Sequence, residues 1–196
     1  MRKILLLFTA VFFVMGIQKS AAQQLYQCDT TKAYWTFEKD SSFLYVKLMG
    51  KAVTTTRPTL ISVNAMPLQV VIVNKANYLK EGGDNTDFAV LTRYAKSESD
   101  YFANSFKTQL NSRMNTLTLP GDKKVVIWYF DMPQSVTQNV KAQVFVNMVA
   151  GDKIFGLSGT QFNNQELKNI GGFLLGVIAT LTKAESKAEL NTLCSK

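Results

Sequence analysis

Runs of apolar residues in the first half of the chain predict β-strands. Aromatic and aliphatic residues fill Lys32–Phe37 ("KAYWTF") and Phe43–Gly50 ("FLYVKLMG"), and the polar stretch between them is typical of a turn. Two further runs, Thr59–Ala65 and Leu68–Asn74, alternate or are rich in β-branched residues. The run at 43–50 is apolar enough to form a short helix instead, and the sequence leaves that alternative open.

The clearest helical pattern lies in the middle of the chain, from Ser97 to Met114. Apolar residues recur at every fourth position from Phe102 onward, and Ser97 with Asp100 is typical of a helix N-terminus. This spacing predicts one apolar face that packs against a sheet. The short run before it, Phe88–Ala95, fits either a strand or a helix.

The second half of the chain predicts a strand, a hairpin and a terminal helix. Val125–Phe130 has the composition of a buried strand, and two strands near Gln143–Val149 and Ile154–Thr160 flank a Gly-Asp turn. A helix is predicted to begin at Asn163, with Glu166 in its first turn. Its apolar face comprises Phe173, Leu174, Val177, Ile178 and Leu181.

Together these elements predict a single α+β domain, an antiparallel sheet with two principal helices packed against it. The stretches "SESDYFANSF", "VVIWYF", "QVFVNMVAGDKIFGLSG" and "FLLGVIATL" follow one another as helix, strand, hairpin and C-terminal helix. This order resembles the PsbP-like fold, the family of the extrinsic photosystem II subunit and its bacterial lumenal and periplasmic relatives. Members of that fold are mostly accessory binding proteins, so the resemblance implies a binding role.

The first 22 residues predict a secretory signal peptide. A basic pair precedes a thirteen-residue apolar run at Ile4–Gly16, and Ser20–Ala22 supplies the small residues of a cleavage site. The run is shorter than the roughly 20 apolar residues that span a bilayer. We therefore expect cleavage after Ala22 and an exported domain, residues 23–196, in the periplasm or outside the cell. No membrane-spanning segment is expected after cleavage.

The two cysteines, Cys28 and Cys194, lie near opposite ends of the expected mature chain. An exported chain reaches an oxidising compartment, where two lone cysteines usually pair, and the ends of a domain often lie close together. The sequence therefore predicts a Cys28–Cys194 disulfide, with two free thiols or an intermolecular bond as alternatives. Cys28 lies six positions beyond Ala22, too far from the small residues to be a lipid anchor.

The chain contains no histidine. This excludes Ser-His-Asp and Cys-His catalysis and nearly all catalytic zinc sites. The stretch Gly156–Gly159 ("GLSG") also lacks the spacing of a serine nucleophile elbow. We therefore predict no catalytic residue, no resident cofactor and no metal.

Charge does not point to a nucleic-acid partner. The leader carries three of the 22 basic residues and no acid, so the mature chain has 19 basic against 14 acidic residues and a net charge of +5. These charges form no basic stripe, which nucleic-acid binding would require.

Two groups of side chains are candidate ligand contacts. The first lies in the loop "EGGDNTD", where clustered oxygens could bind Ca²⁺, although the spacing differs from an EF-hand and Gly-Asp-Asn is ordinary turn chemistry. Its oxygen-bearing side chains are Glu81, Asp84, Asn85 and Asp87. The second group, Trp35 and Trp128, could stack on a sugar or a base if one face of the sheet is open, and otherwise belongs to the core.

These observations predict an exported, non-catalytic accessory protein that binds an unknown protein or small ligand in the cell envelope or outside it. The alternative is a secreted hydrolase that uses a metal or carboxylates such as Asp84 and Asp87. A pocket lined by two or more acids would favour the hydrolase, and a flat or apolar groove would favour binding.

Overall fold

Two antiparallel β-sheets and the helices that cover them form the fold in the computed structural model, which describes residues 22–137 and 139–195. The predicted leader lies outside these ranges except for Ala22, where the first strand begins. The smaller sheet, sheet A, pairs its strands in the order β1 (Ala22–Gln27), β2 (Lys32–Lys39), β3 (Ser42–Met49) and β11 (Thr182–Ala184).

The larger sheet, sheet B, has seven strands. In chain order they are β4 (Ala52–Thr54), β5 (Leu60–Val63), β6 (Met66–Asn74), β7 (Arg113–Leu119), β8 (Lys123–Asp131), β9 (Val140–Ala150) and β10 (Lys153–Phe162). They pair in the order β4-β5-β6-β10-β9-β8-β7, so the hairpin β9–β10 lies in the centre of the sheet.

The helices are α1 (Asp87–Phe106), α2 (Leu167–Ala179) and α3 (Lys187–Leu190), with 3-10 turns at Lys75–Tyr78 and Leu193–Ser195. Helix α1 covers one face of sheet B, where Phe102 packs against Phe145. Sheet A and α2 cover the other face, where Phe37 of sheet A meets Phe155 of sheet B. Sheet B is thus the middle layer, and each of its faces has its own apolar core.

The predicted α+β class is confirmed, but the single predicted sheet is two sheets. The chain leaves sheet A after β3 at Gly50, whose φ of +113° is a conformation that residues with a side chain rarely adopt. A side chain at this position would also collide with Asn64, which donates to the carbonyl of Met49 and accepts from Lys51. The turn directs β4 into sheet B, and no hydrophobic pattern in the sequence marks that change of sheet.

The predicted start of the central helix at Ser97 is wrong. Helix α1 begins ten residues earlier, where the Thr86 hydroxyl accepts from the amide of Ala89 and caps the first turn. It ends at Phe106 because Lys107 adopts a left-handed conformation, with φ 53°. The run at 88–95 is therefore helix, while the last apolar residue of the predicted pattern, Met114, lies in β7.

The terminal helix is also shorter than predicted. Helix α2 begins at Leu167 rather than at Asn163, and Glu166 is its N-cap residue without a side-chain cap. At the other end, the Lys123 ammonium donates to the carbonyls of Ala179 and Leu181 at 2.7 and 3.1 Å. A cation at this position stabilises the helix C-terminus.

One lysine joins the hairpin turns of the two sheets. Lys153 is 3% exposed, and its ammonium lies 2.8 Å from Asn74 Oδ1, 2.7 Å from Asp152 and 3.4 Å from Asp40. Asp40 belongs to the β2–β3 turn of sheet A, and Asp152 to the β9–β10 turn of sheet B. The shared cation therefore aligns the two sheets at this edge.

The predicted disulfide between Cys28 and Cys194 is confirmed, with the two Cα atoms 5.1 Å apart. It fastens the C-terminal segment to the outer face of sheet A, where Leu190 and Leu193 are buried. Two polar contacts assist: Tyr26 donates to Asn191 at 3.0 Å, and Lys187 pairs with Glu38 at 2.8 Å.

Candidate functional site

An acidic side chain, Glu98, lies on the face that α1 turns toward sheet B. It follows Tyr94 and precedes Phe102 by about one turn each, and both of these residues are buried. Tyr94 meets Tyr78 of the 3-10 turn edge-to-face, with ring centroids 5.1 Å apart, and Phe102 packs against Phe145 of β9 at 5.5 Å. Glu98 therefore lies between two aromatic contacts on the face of α1 that packs against β8 and β9.

Burial raises the pKa of the Glu98 carboxyl from 4.5 to about 7. Burial, and to a lesser degree the charge of Glu98, also raise the pKa of Tyr78 and Tyr94. Among residues 22–137 and 139–195, none of these three side chains has a hydrogen-bond or ion-pair partner. Their oxygens keep some contact with solvent, because among the described residues the only fully buried side-chain oxygen or nitrogen without a partner is Gln23 Oε1.

The surface of sheet B beside α1 carries polar side chains as well. Gln69 of β6 pairs in register with Ser158 of β10, which in turn pairs with Phe145 of β9 and therefore shares its face of the sheet. Ser158 is 9% exposed, and its hydroxyl has no partner within the described chain. We call the set Gln69, Tyr78, Tyr94, Glu98 and Ser158 the polar groove.

A glycine lies in the floor of the polar groove. Gly156 of β10 lies between Ile154, in the core beneath α1, and Ser158, and shares their face of sheet B. A Cβ atom there would lie 2.5 Å from Asn147 Nδ2 and 2.7 Å from Val71 Cγ1. The absent side chain thus leaves room for the amide of Asn147.

We expect Glu98→Gln to stabilise the protein at neutral and alkaline pH. Since the pKa of Glu98 is raised, the folded state binds the proton more tightly than the unfolded state does. The free energy of unfolding therefore falls as pH rises from about 4.5 to about 7. The neutral amide removes this loss, which corresponds to roughly 3 kcal/mol. Urea unfolding at pH 4 and pH 8 measures it: the variant should gain at pH 8 and match the wild type at pH 4.

The matched control for this test is Asp100→Asn, on the exposed side of the same helix. A solvated charge of this kind contributes little, so we expect a change within about 0.5 kcal/mol at both pH values. Equal stability of Glu98→Gln and wild type at pH 8 would show that Glu98 ionises freely in the folded protein.

The loop at 81–87 uses most of its predicted oxygen ligands within the chain. Asn85 Oδ1 accepts from the amide of Lys80 at 2.9 Å and from Arg93 at 3.0 Å, and Asp84 Oδ1 accepts from Thr86 at 2.8 Å. Arg93 also donates to the carbonyls of Tyr78 and Asp84, so it closes the loop over the start of α1.

The acids predicted to act together in this loop have separate surroundings. Asp87 pairs with Lys75 at 2.8 Å, and Glu81 is exposed. Asp84 accepts a hydrogen bond from the amide of Thr86 in the turn before α1. In the described part of the chain, no group of three or more Asp, Glu, Cys or His side chains could hold a metal ion. The contacts of this loop are those of the ordinary turn considered as the alternative to a calcium site.

Both predicted tryptophans are core residues and lie away from any exposed face. Trp35 is 1% exposed in the core between the sheets. Trp128 is fully buried under α1, where it stacks on Phe145 and donates from Nε1 to Asn147 at 2.8 Å. Strand alternation would expose them only if the sheet had an open face, but helices and the second sheet cover both positions.

Sequence reasoning missed the polar groove because it placed Glu98 in the first turn of a helix. In the structure, Leu91, Tyr94 and Phe102 lie on the same helical face as Glu98. If the helix is predicted to begin at Asp87, Glu98 becomes the one carboxylate on an otherwise apolar face. This pattern is the sequence signal that could have identified it.

Comparison with known proteins gives a likeness of fold. No protein-family model matches the chain, and no curated protein matches it. Among solved structures, it is similar to the solution structure of cyanobacterial PsbP (CyanoP) from Synechocystis sp. PCC 6803, with a TM-score of 0.47 and 9% sequence identity. The match covers 86% of this chain and 96% of that chain. The predicted resemblance to the PsbP-like fold is confirmed as a likeness of fold alone, and we take no function from it.

The helices give no indication of a membrane span. Within residues 22–137 and 139–195, no helix combines the length and the apolar character needed to cross a bilayer.

Proposed function

We propose that the chain is an exported, non-catalytic accessory protein that binds a small ligand or a partner's side chain in the polar groove. The observation that carries this proposal is the cluster of polar groups, Tyr78, Tyr94, Glu98 and Ser158, which lie partly or fully buried without partners. A few polar groups within largely apolar surroundings are typical of a ligand-binding site.

Export is the second part of the proposal. The Cys28–Cys194 disulfide supports it, because disulfides persist in oxidising compartments. The leader with its cleavage site after Ala22 also supports it. On this proposal the mature chain starts at Gln23, in β1, and the compartment is the periplasm or the outside of the cell.

We expect protein recovered from the envelope or medium of its own cells to start at Gln23 and to carry a bound molecule. Native mass spectrometry would show the protein plus a non-covalent adduct, and N-terminal sequencing would show the cleavage site. Ser158→Ala should lose the adduct, because it removes a hydroxyl of the polar groove. Thr182→Val, which removes an exposed hydroxyl on sheet A, is the matched control and should keep it.

The competing reading is a secreted hydrolase built on Asp84 and Asp87. No contact favours it, since Asp87 pairs with Lys75 and Asp84 accepts from the backbone of its own loop. Protein without any adduct, together with turnover in a hydrolase panel that Asp84→Asn or Asp87→Asn abolishes, would overturn the binding proposal.

A further inference from the structure

We infer that the mature chain carries a modified N-terminus, in which the side chain of Gln23 has closed onto its own α-amine to form a pyroglutamate ring. The inference rests on the proposed export, because it requires cleavage after Ala22, and it adds a modification site to that proposal. It follows from the place of Gln23 in the fold and from a reaction that a glutamine undergoes only at an N-terminus.

The first step is the position of Gln23. Cleavage after Ala22 would make Gln23 the first residue of β1, an edge strand of sheet A, where it pairs in register with Phe37 of β2. Side chains alternate along a strand, so Gln23 shares a face with Leu25, which packs against the core between the sheets. The side chain of the new N-terminal residue therefore lies on the core-facing side of the sheet edge.

The second step is the burial of the Gln23 carboxamide oxygen. Among residues 22–137 and 139–195, Oε1 of Gln23 is the only buried side-chain oxygen or nitrogen that has no hydrogen-bond partner. Phe37 and Leu25, its neighbours on this face, have apolar side chains and supply no donor. A buried acceptor without a donor lowers the stability of a fold, and such atoms are rare.

The third step is the chemistry that cleavage makes available. The free α-amine of Gln23 attacks Cδ of its own side chain, so the N–Cδ bond forms and the Cδ–Nε2 bond breaks. Nε2 takes up the proton that the amine gives up and leaves as ammonia, while Oε1 becomes the carbonyl oxygen of a five-membered lactam. No oxidant, reductant or cofactor takes part. The attacking amine must be uncharged, and an α-amine with a pKa of about 7.7 to 8.0 is partly uncharged at neutral pH.

Ring closure favours the fold in two ways. It draws Cδ and Oε1 back to the backbone nitrogen, so the core-facing side of β1 no longer holds an unpaired amide oxygen. It also replaces a charged ammonium group by a neutral lactam, whose N–H remains a donor for the strand. The next acid in β2, Glu38, already pairs with Lys187 at 2.8 Å, so the fold does not depend on the α-ammonium as its partner.

Intact mass spectrometry under denaturing conditions tests the inference on disulfide-bonded protein recovered from the envelope or medium of its own cells. The expected mass is that of residues 23–196 less one molecule of ammonia. After reduction, the loss should lie in the tryptic peptide that ends at Lys32. This peptide should resist stepwise degradation from its N-terminus until pyroglutamyl peptidase removes the first residue.

Two variants locate the modification. Gln23→Asn keeps a carboxamide but shortens the side chain by one methylene, so the amine cannot close an unstrained ring and the protein should keep its ammonia. Gln24→Ala is the matched control, because it removes the neighbouring glutamine, which is exposed, and should leave the loss of ammonia unchanged.

The effect on the fold is measured on the wild type. The cyclised and uncyclised forms differ by one charge, so ion exchange separates them. Urea unfolding of the two forms should place the midpoint of the cyclised form at the higher urea concentration. Equal midpoints would contradict the stabilising role of the ring.

Two results would overturn the modification itself. A mature chain that starts at Gln23 and keeps its ammonia would remove the inference and leave the proposed export standing. A loss of ammonia that persists in Gln23→Asn would place the reaction at another amide. By contrast, an exported chain that starts at a residue other than Gln23 would show that the proposed cleavage site is wrong, and the inference would fail with it.

Discussion

The double variant Cys28→Ser/Cys194→Ser should lose roughly 5 kcal/mol of unfolding free energy, on the chain-entropy account of disulfides. The bond joins residues 166 positions apart, so the unfolded chain gains the freedom of nearly the whole domain when it is removed. A loss of this size is comparable with the total stability of many domains. The variant is therefore expected to be partly unfolded at 37 °C.

Guanidinium unfolding followed by tryptophan fluorescence would measure this loss. The wild type in the presence of a dithiol reductant should give the same midpoint as the double serine variant, which is the internal control. The denaturant slope should rise in both, because an unfolded chain without the cross-link exposes more surface. A midpoint that moves by less than the equivalent of about 1 kcal/mol would contradict the prediction.

Loss of the bond should also release the C-terminal segment. Only two side chains of that segment, Leu190 and Leu193, are buried against sheet A. Without the bond, ordering this segment relies on these contacts, on the Tyr26–Asn191 hydrogen bond and on the Lys187–Glu38 pair, which is partly exposed and contributes little. Limited proteolysis should therefore cut the serine variant after Lys187 before it cuts the sheets.

Trp128→Ala should lose roughly 3 to 5 kcal/mol, the usual cost of removing a large buried aromatic side chain. Trp128 is fully buried and stacks on Phe145 with ring centroids 4.0 Å apart and an interplanar angle of 9°. Its removal leaves a cavity under α1 and deprives Asn147 Oδ1 of its donor, the Trp128 Nε1 at 2.8 Å. Urea unfolding followed by circular dichroism measures the change.

A double-mutant cycle separates packing from the hydrogen bond. Trp128→Phe keeps an aromatic ring but removes the donor, and Asn147→Ala removes the acceptor. Each single variant leaves a buried polar group without a partner, so the double variant should be less destabilised than the sum by about 1 kcal/mol or more. Strict additivity would show that the Trp128–Asn147 hydrogen bond contributes nothing net, and the cycle remains measurable if Trp128→Ala fails to fold.

The strands with strong alternation and the central hairpin could be predicted from sequence because their patterns are local. Val125–Phe130 and the runs on either side of Gly151 are strands in the structure, with ends within a few residues of those expected. Strand β7 was not predicted because it is an edge strand. Most of its side chains are exposed, so its sequence, "RMNTLTL", shows no clear apolar pattern.

The start and end of α1 could not be read from sequence for opposite reasons. At the start, Ser97 and Asp100 imitate a cap, yet the cap is Thr86, a residue that follows a loop rich in turn signals. At the end, the four-residue spacing continues through Leu110 and Met114. The helix nevertheless stops at Phe106, because Lys107 takes a left-handed conformation, and no glycine or proline marks this position in the sequence.

The candidate site could not be predicted from the sequence because its residues come from three separate elements. Tyr78 belongs to a 3-10 turn, Glu98 to α1 and Ser158 to β10. Their proximity depends on the angle at which α1 crosses sheet B and on the register of β10 against β6, neither of which leaves a local pattern. Tertiary packing alone gives Glu98 its apolar surroundings and its raised pKa.

The joining of β1 to the C-terminal segment also determines how the protein responds to mechanical tension. A force that pulls on the chain at Gln27 and at Ser195 is transmitted directly from Cys28 to Cys194 through a covalent bond. The intervening residues, which include every strand of sheet B, form a loop that carries none of the load. While the disulfide is intact, a protein tethered at both ends should keep sheet B folded under forces that would unravel an uncrosslinked domain.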